Sequence, residues 1–287
     1  MYFAMEEQSE NRRRCAPEKA ESSFLNSFCM AALGFLFVVI THQLLLGFMS
    51  RALGYETQIT FGSVISKPFD NRYWSTSRVL AMYLLPSLAY LSLAGFLALY
   101  LLFISQKVNR LYWFLFWIMT FSVLIISTQF TLAPIGAFIS KGAIYQGVSV
   151  VANWWGIDSF KLLSLSFLSL LLNILFGIIS FKMIIQLSPA RSTLKSRSQQ
   201  RVVIWVYFII PIVLLLPVAV FLAYPDSILV MTVMLLHAVF WLPGLFMKSY
   251  AGYRYEGKIT QASETSTTNY GIVALLVLAL ILTRIFL

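Results

Sequence analysis

Charged residues are scarce in this sequence, and only 11% of its 287 residues are Asp, Glu, Lys or Arg. A soluble domain carries about 25% charged residues, so this chain has too few to cover a surface that faces water. Hydrophobic residues make up 59% of the chain and gather in runs of about 20, the length that a membrane-crossing α-helix needs. We therefore predict an all-α, polytopic transmembrane helical bundle rather than a soluble domain.

Cysteine and histidine are also rare, with two of each in the whole chain. Cys15 lies in a polar segment and Cys29 at the start of an apolar one, so the pair predicts neither a disulfide framework nor a metal site. The sequence lacks a phosphate-binding glycine loop, a dinucleotide fingerprint, a haem-attachment motif and a serine-hydrolase elbow. From these observations we expect no cofactor and no bound metal.

The formal net charge is +10, which would also suit binding to nucleic acid. In a membrane protein, however, Lys and Arg collect in cytoplasmic loops and fix the orientation of the chain. We therefore expect the partners to be membrane lipids and other membrane proteins, with no nucleic acid among them.

The apolar runs predict seven membrane-crossing helices. In chain order they are 24–49, 78–105, 111–132, 161–187, 202–224, 227–248 and 270–287. Residues 1–22 are expected to form a disordered, polar cytoplasmic tail, and residues 23–287 a single transmembrane domain. The alternating stretch 58–66, broken by Gly62, predicts a short hairpin at the membrane surface between the first two helices. The Gly-rich segment 133–160 predicts a re-entrant or surface segment.

Basic residues fix the expected orientation of these seven helices. Segments 1–22, 106–110, 188–201 and 249–269 carry most of the Lys and Arg residues outside the spans, and they share one side if all seven helices cross. The positive-inside rule then predicts a cytoplasmic N-terminus and an external C-terminus in a bacterial inner membrane. The first loop, 51–77, is the one external segment that dilutes this bias.

Polar residues inside a span are costly in lipid, so each is a candidate for a functional site. No Asp, Glu or Lys falls in the middle of a predicted span, and the candidates are therefore His42, Gln43, Gln129, Asn173 and His237. They could form hydrogen bonds between helices, or they could line a polar cavity. The two histidines differ in depth by about 7 Å at 1.5 Å per helical residue, and two imidazoles without a carboxylate or thiolate would hold zinc poorly.

The sequence around His42 resembles the zinc-binding helix of the site-2 proteases, a family of intramembrane metalloproteases. Residues 41–46 read THQLLL, and a Leu-Gly pair and an alternating stretch follow them. At the corresponding places the family has H-E-x-x-H, a Leu-Gly pattern and a hairpin. His42 matches the first zinc ligand. Gln43 stands in place of the general-base Glu, and Leu46 in place of the second His.

A later part of the family pattern is also incomplete. Asn173, in the sequence LLNILFG, is similar to part of the helix that supplies the third ligand, but the ligand Asp does not follow it. The resemblance covers residues 38–95 and implies a degenerate member that kept the fold and lost hydrolysis. It implies no catalytic residue and no bound metal.

Three functions follow from these observations. The first is a non-catalytic membrane protein, either a degenerate site-2-protease-like fold or a subunit or scaffold that binds other membrane segments. The second is a transporter or permease for a neutral or lipid-like substrate, favoured by the prolines within 202–224. The third is an active metalloenzyme, whose ligands are missing. We predict the first, with the transporter as the alternative, and we expect His42→Ala to leave folding nearly intact.

Overall fold

The computed structural model describes residues 2–61, 64–67, 74–104, 110–140, 145, 147–187, 197–223, 228–246 and 270–286. These residues form nine α-helices and one pair of short strands. The helices are α1 (Tyr2–Ala52), α2 (Thr76–Leu99), α3 (Arg110–Ile139), α4 (Val148–Trp154), α5 (Ser159–Leu187), α6 (Arg197–Ile204), α7 (Ile210–Ala223), α8 (Ile228–Leu236) and α9 (Tyr270–Phe286). The strands are β1 (Glu56–Ile59) and β2 (Val64–Lys67).

Three helical segments depart from α-helical winding. A π-helical turn, Tyr100–Ile104, continues α2, and a second one, Trp205–Ile209, joins α6 to α7. After α8 the chain continues as a ten-residue 3-10 helix, His237–Phe246. π-helical turns are rare, and long 3-10 segments are uncommon. In each of these places, therefore, tertiary contacts override the local preference for an α-helix.

Five of the described helical segments are long and apolar enough to cross a membrane. They are Phe24–Ala52, Thr76–Phe103, Leu111–Ile139, Ser159–Phe181 and Arg201–Ala223. Two shorter apolar helices follow, Leu229–Leu242 and Gly271–Thr283. This architecture is that of a helical, polytopic membrane protein, as the composition predicts.

Two expected helix boundaries are wrong. The tail 1–22 was expected to be disordered, yet α1 is continuous from Tyr2, in keeping with the Glu, Arg, Lys and Ala residues of this segment, which are good helix formers. The third helix was expected to end at residue 132, before Pro134, but α3 continues through that proline to Ile139. Proline is tolerated within apolar helices of this kind because neighbouring helices stabilise the freed backbone group. At the end of α3, Ser140 adopts a φ of 54° and terminates the helix.

Four aromatic rings form a column through the centre of the bundle. Phe208, on the π-helical turn before α7, lies between Trp117 of α3 and Trp241 of the 3-10 helix, with centroid distances of 5.4 and 4.9 Å and nearly parallel planes. Phe121 extends the column on the other side of Trp117, at 5.6 Å. Both tryptophans and Phe208 are fully buried. Because aromatic side chains bury the largest apolar areas, this column joins three parts of the chain at one point.

Two glycines allow the tryptophans of this column to approach neighbouring helices. A Cβ atom on Gly34 of α1 would lie 2.8 Å from the Cβ of Trp117, and one on Gly177 of α5 would lie 2.6 Å from the Cβ of Trp241. Small residues at helix contacts let backbones come close where lipid provides no hydrophobic driving force. Each glycine therefore fixes a close contact between a helix and a tryptophan of the column.

The strands β1 and β2 form an antiparallel pair that packs along α1. Ile59 lies against Gly47 of α1, where any side chain would collide with it, and the ring of Phe61 is 6.1 Å from that of Phe35. Phe61 is buried within the main core. The strands thus pair between α1 and α2, where the sequence predicts a short hairpin, and they pack along the last turns of α1.

The segment 133–160, expected to be re-entrant or at the surface, contains the short helix α4, which packs against α2 and α3. Val148 and Ala152 of α4 form a small separate core with Ala133 and Leu162. This core closes the end of the bundle at which α3 ends and α5 begins.

We predict that Gly177→Ala destabilises the protein strongly, because the new methyl group would meet both the Cβ and the backbone Cα of Trp241. Overpacking of this kind typically costs about 1–3 kcal/mol. The matched control is Gly95→Ala in α2, whose Cβ would have no atom within 4 Å. Thermal unfolding in detergent micelles measures the difference, and an equal melting temperature for both variants would contradict the close contact.

Candidate functional site

A chain of hydrogen bonds joins three helices around His42. Ser87 of α2 donates from Oγ to Oε1 of Gln129 on α3 at 2.5 Å, and Nε2 of Gln129 lies 3.1 Å from Nε2 of His42 on α1. All three helices contact one another. Only 3% of His42 is exposed. The sequence candidates His42 and Gln129 therefore come together, in what we call the three-helix joint: His42, Ser87, Gln129, Thr41 and Tyr90.

The direction of these bonds fixes the protonation pattern of the imidazole. A glutamine amide nitrogen can only donate, so Nε2 of His42 accepts from it and carries no proton. The proton of the neutral ring is then on Nδ1, and this buried atom has no hydrogen-bond partner among the described residues. The imidazole of His42 therefore uses Nε2 in the contact between α1 and α3.

Thr41 and Tyr90 add a second link between α1 and α2 within this joint. The hydroxyl groups of Thr41 and Tyr90 form a short hydrogen bond, and the ring of Tyr90 packs edge-on against His42 at 5.4 Å. The Thr41 hydroxyl also donates to the carbonyl of Phe37, one turn earlier in α1. The tyrosine hydroxyl is therefore the donor to Thr41, since a threonine has one proton to give.

The residue before α4 packs against this joint. Gly147 has a φ of 54°, and a Cβ atom there would lie 2.6 Å from Oε1 of Gln129. The position thus requires glycine for its backbone conformation and for its approach to the amide. The start of α4 therefore packs against the amide of Gln129.

Asn173 and His237 meet at a second place, in the contact between α5 and the 3-10 helix. Nδ2 of Asn173 donates to the backbone carbonyl of His237 at 3.0 Å, and Oδ1 accepts from Nε1 of Trp241 at 2.7 Å. Asn173 is 2% exposed, so its amide is used within the fold. Nδ1 of the His237 ring donates to the carbonyl of Val233 at 2.7 Å. We call this group of Asn173, His237 and Trp241 the asparagine joint.

Gln43 belongs to neither joint. It is buried, and its Oε1 accepts no hydrogen bond from any residue that the structure describes. The buried Nε2 of His237 is unpaired within the same set of residues. The five sequence candidates therefore divide into two joints and one separate glutamine.

Sequence reasoning missed four members of these joints, namely Thr41, Ser87, Tyr90 and Trp241. Serine and tyrosine are common in membrane helices, so neither type stands out as a polar residue of a span. A weak signal existed for Ser87 and Tyr90, which lie three residues apart on one face of α2 and are both buried. Nothing in the sequence links Trp241 to an asparagine 68 residues earlier.

The residues present do not form a metal site within the part of the chain that the structure covers. There, no group of three His, Cys, Asp or Glu side chains could hold a metal ion. Nε2 of His42 is already engaged by Gln129, and Leu46 is buried in the apolar core.

Comparison of the chain with protein-family models, with curated proteins and with solved structures finds no match.

We predict that His42 and Gln129 are energetically coupled. In a double-mutant cycle with His42→Phe and Gln129→Met, which keep side-chain size, we expect a coupling energy of about 0.6 kcal/mol, as for other hydrogen bonds between membrane helices. Unfolding in mixed micelles measures it. This expectation replaces the one that His42→Ala leaves folding nearly intact, because loss of the ring would leave Nε2 of Gln129 without its acceptor.

The control cycle pairs His42→Phe with Ser169→Ala, a change in α5 outside both joints, for which additive effects are expected. Additivity in the His42–Gln129 cycle as well would show that the hydrogen bond contributes nothing to the folded state.

We predict a difference between two tryptophan substitutions in the aromatic column. Trp241→Phe leaves Oδ1 of Asn173 without its donor, whereas Nε1 of Trp117 has no partner among the described residues and Trp117→Phe removes an unsatisfied group. Since an unpaired buried polar atom costs about 1–3 kcal/mol, Trp241→Phe should be the more destabilising by that amount. Both tryptophans are fully buried and stack on Phe208, so each controls for the lost volume of the other. Equal losses of stability in micelles would contradict the asparagine joint.

Proposed function

We propose that this chain is a non-catalytic integral membrane protein, a scaffold or subunit that binds other membrane segments. The observation that carries this proposal is the use of the polar in-span side chains: three of the five, those of His42, Gln129 and Asn173, form hydrogen bonds between helical segments. His42 and Gln129 connect α1, α2 and α3, and Asn173 connects α5 to the backbone of His237. Enzymes and ion-coupled carriers need polar groups that are free to meet a substrate.

The two joints are separate, and this separation favours the scaffold over the transporter. A transport site would bring the polar candidates together in one place at the interface of broken helices. The described hydrogen bonds of His42 are with α3, whereas those of Asn173 are with the 3-10 helix.

The alternative, a transporter for a neutral or lipid-like substrate, has one specific observation in its favour. The π-helical turn Trp205–Ile209 precedes α7, which contains Pro211 and Pro217, and the 3-10 helix follows α8. Interrupted helices of this kind line the substrate sites of many transporters. In this chain the interruptions at Phe208 and Trp241 are filled by stacked aromatic rings, which supports a packed bundle.

The proposal includes the full topology that the sequence predicts. Seven spans, with the two shorter apolar helices crossing as well, would leave the N-terminus in the cytoplasm and the C-terminus outside, in a bacterial inner membrane. The resemblance to site-2 proteases would make the chain a pseudoenzyme whose His42 has become a helix-packing residue. The engagement of Nε2 of His42 by Gln129 supports that role.

α5 presents the surface that such a scaffold would offer to a partner. In the most apolar part of Ser159–Phe181 only 22% of the residues are buried, against 72% in the most apolar part of Leu111–Ile139. Phe167, Leu171 and Leu175 are exposed at intervals of four residues and form a straight ridge along the helix. The scaffold proposal places an apolar transmembrane helix of another membrane protein on this ridge.

We predict that a photoreactive benzoylphenylalanine at Leu171, in cells that carry the full chain, yields a discrete cross-link to another membrane protein. The matched control is the same probe at Leu91 of α2, which is about as exposed to lipid but is not part of the ridge. Cross-linked products are measured by their shift on denaturing gels and by mass spectrometry.

Lipid adducts alone at both positions would contradict the scaffold. Stoichiometric zinc in the purified protein, lost on His42→Ala, would contradict the non-catalytic assignment instead, so the two parts of the proposal fail separately.

A further inference from the structure

The outward face of the strand pair carries two exposed polar side chains although the pair packs along a membrane helix. The register pairs Gln58 with Ile65 and Thr57 with Ser66. Thr57 and Ser66 turn toward α1, where their hydroxyl groups each bond to Ser50 at 2.7 Å. Side chains alternate between the faces of a strand, so Glu56, Gln58 and Ile65 point the other way, and all three are exposed.

The strand pair runs back along the last turns of α1. Ile59 packs on Gly47, which lies about 8 Å before the last residue of α1 at 1.5 Å per residue. The ring of Phe61 reaches that of Phe35, which lies about 25 Å from the same end by the same rise. Phe61 follows β1 by two residues, so its backbone lies at most about 7 Å deeper than that of Ile59, and its side chain extends from there toward the middle of the span Phe24–Ala52.

Lipid would leave the polar groups of this face without hydrogen-bond partners. Within hydrocarbon, non-helical backbone occurs only where protein covers it or where it lines a water-filled space. The sheet has two strands among the described residues, so each strand has an outer edge that no further strand covers. Exposed Glu56 and Gln58 add polar side chains to the outward face, and such side chains face water or polar partners when they lie within a membrane.

We propose that the outward face of β1 and β2 borders a water-filled recess that enters the bundle beside α1. The serine and threonine hydroxyl groups on the inner face hold the pair to α1, while Glu56 and Gln58 on the outer face are solvated. This inference stands independently of the scaffold function, because it concerns only which solvent meets the strand pair.

Cysteine labelling tests the recess directly. In the full chain with Cys15→Ser and Cys29→Ala, single variants Gln58→Cys, Ile65→Cys and Leu171→Cys are treated with a membrane-impermeant thiol reagent in unsealed membranes. Because the thiolate is the reactive form and lipid suppresses it, we expect Gln58→Cys and Ile65→Cys to react about 100-fold faster than Leu171→Cys. Ile65 and Leu171 are both exposed and apolar in the native chain, so they differ in surroundings and not in side-chain type.

Depth is measured on the same background with Phe35→Cys combined with Phe61→Cys, joined by a short bismaleimide. A second pair, Gly47→Cys with Ile59→Cys, serves if the first does not fold. Labelling after denaturation confirms that every thiol is present.

A cross-link together with rapid labelling supports the recess. A cross-link with labelling as slow as that of Leu171→Cys would overturn it, because lipid or protein would then cover the face. Rapid labelling without a cross-link in either pair would also overturn it, because the strands would then lie outside the bundle in bulk water.

Discussion

Phe208 is the residue at which the bundle is held together, because its ring is enclosed between two tryptophans that come from distant parts of the chain. Its position depends on the π-helical turn Trp205–Ile209, which adds a residue to one helical turn and rotates the side chains that follow. The tryptophans in turn depend on Gly34 and Gly177, since any side chain at either position would displace them. A membrane protein has little hydrophobic driving force between helices, so shape and dispersion at such contacts decide the arrangement.

The polar joints add specificity to this apolar packing. Ser87, Gln129 and His42 form bonds that only one arrangement of α1, α2 and α3 satisfies, and Asn173 does the same for α5 and the 3-10 helix. Each bond contributes little energy, but a misplaced helix would leave buried polar atoms unpaired. The aromatic column therefore supplies contact area, and the joints select the register in which the helices meet.

The sequence predicts the class of this fold well because apolar runs of about 20 residues with few charges are typical of membrane-crossing helices. It identifies His42, Gln129, Asn173 and His237 as the residues that need partners, since polar groups within spans are rare. Their pairing could not be predicted, because Gln129 is 87 residues from His42 and no local pattern relates them. The predicted end of α3 was wrong because the rule that a proline stops a helix is weaker in membrane helices, where neighbouring helices can satisfy the backbone group that the proline frees.

The 3-10 winding of His237–Phe246 changes the length of the segment that contains it. As a continuous α-helix, α8 and these ten residues would measure about 28 Å, which is slightly less than the hydrocarbon thickness of a typical bilayer, about 30 Å. With a rise of 2.0 Å per residue in the 3-10 part, the same residues reach about 33 Å. Asn173 bonds to both His237 and Trp241, and it thus holds one turn of a segment that is longer than the same residues would be in an α-helix.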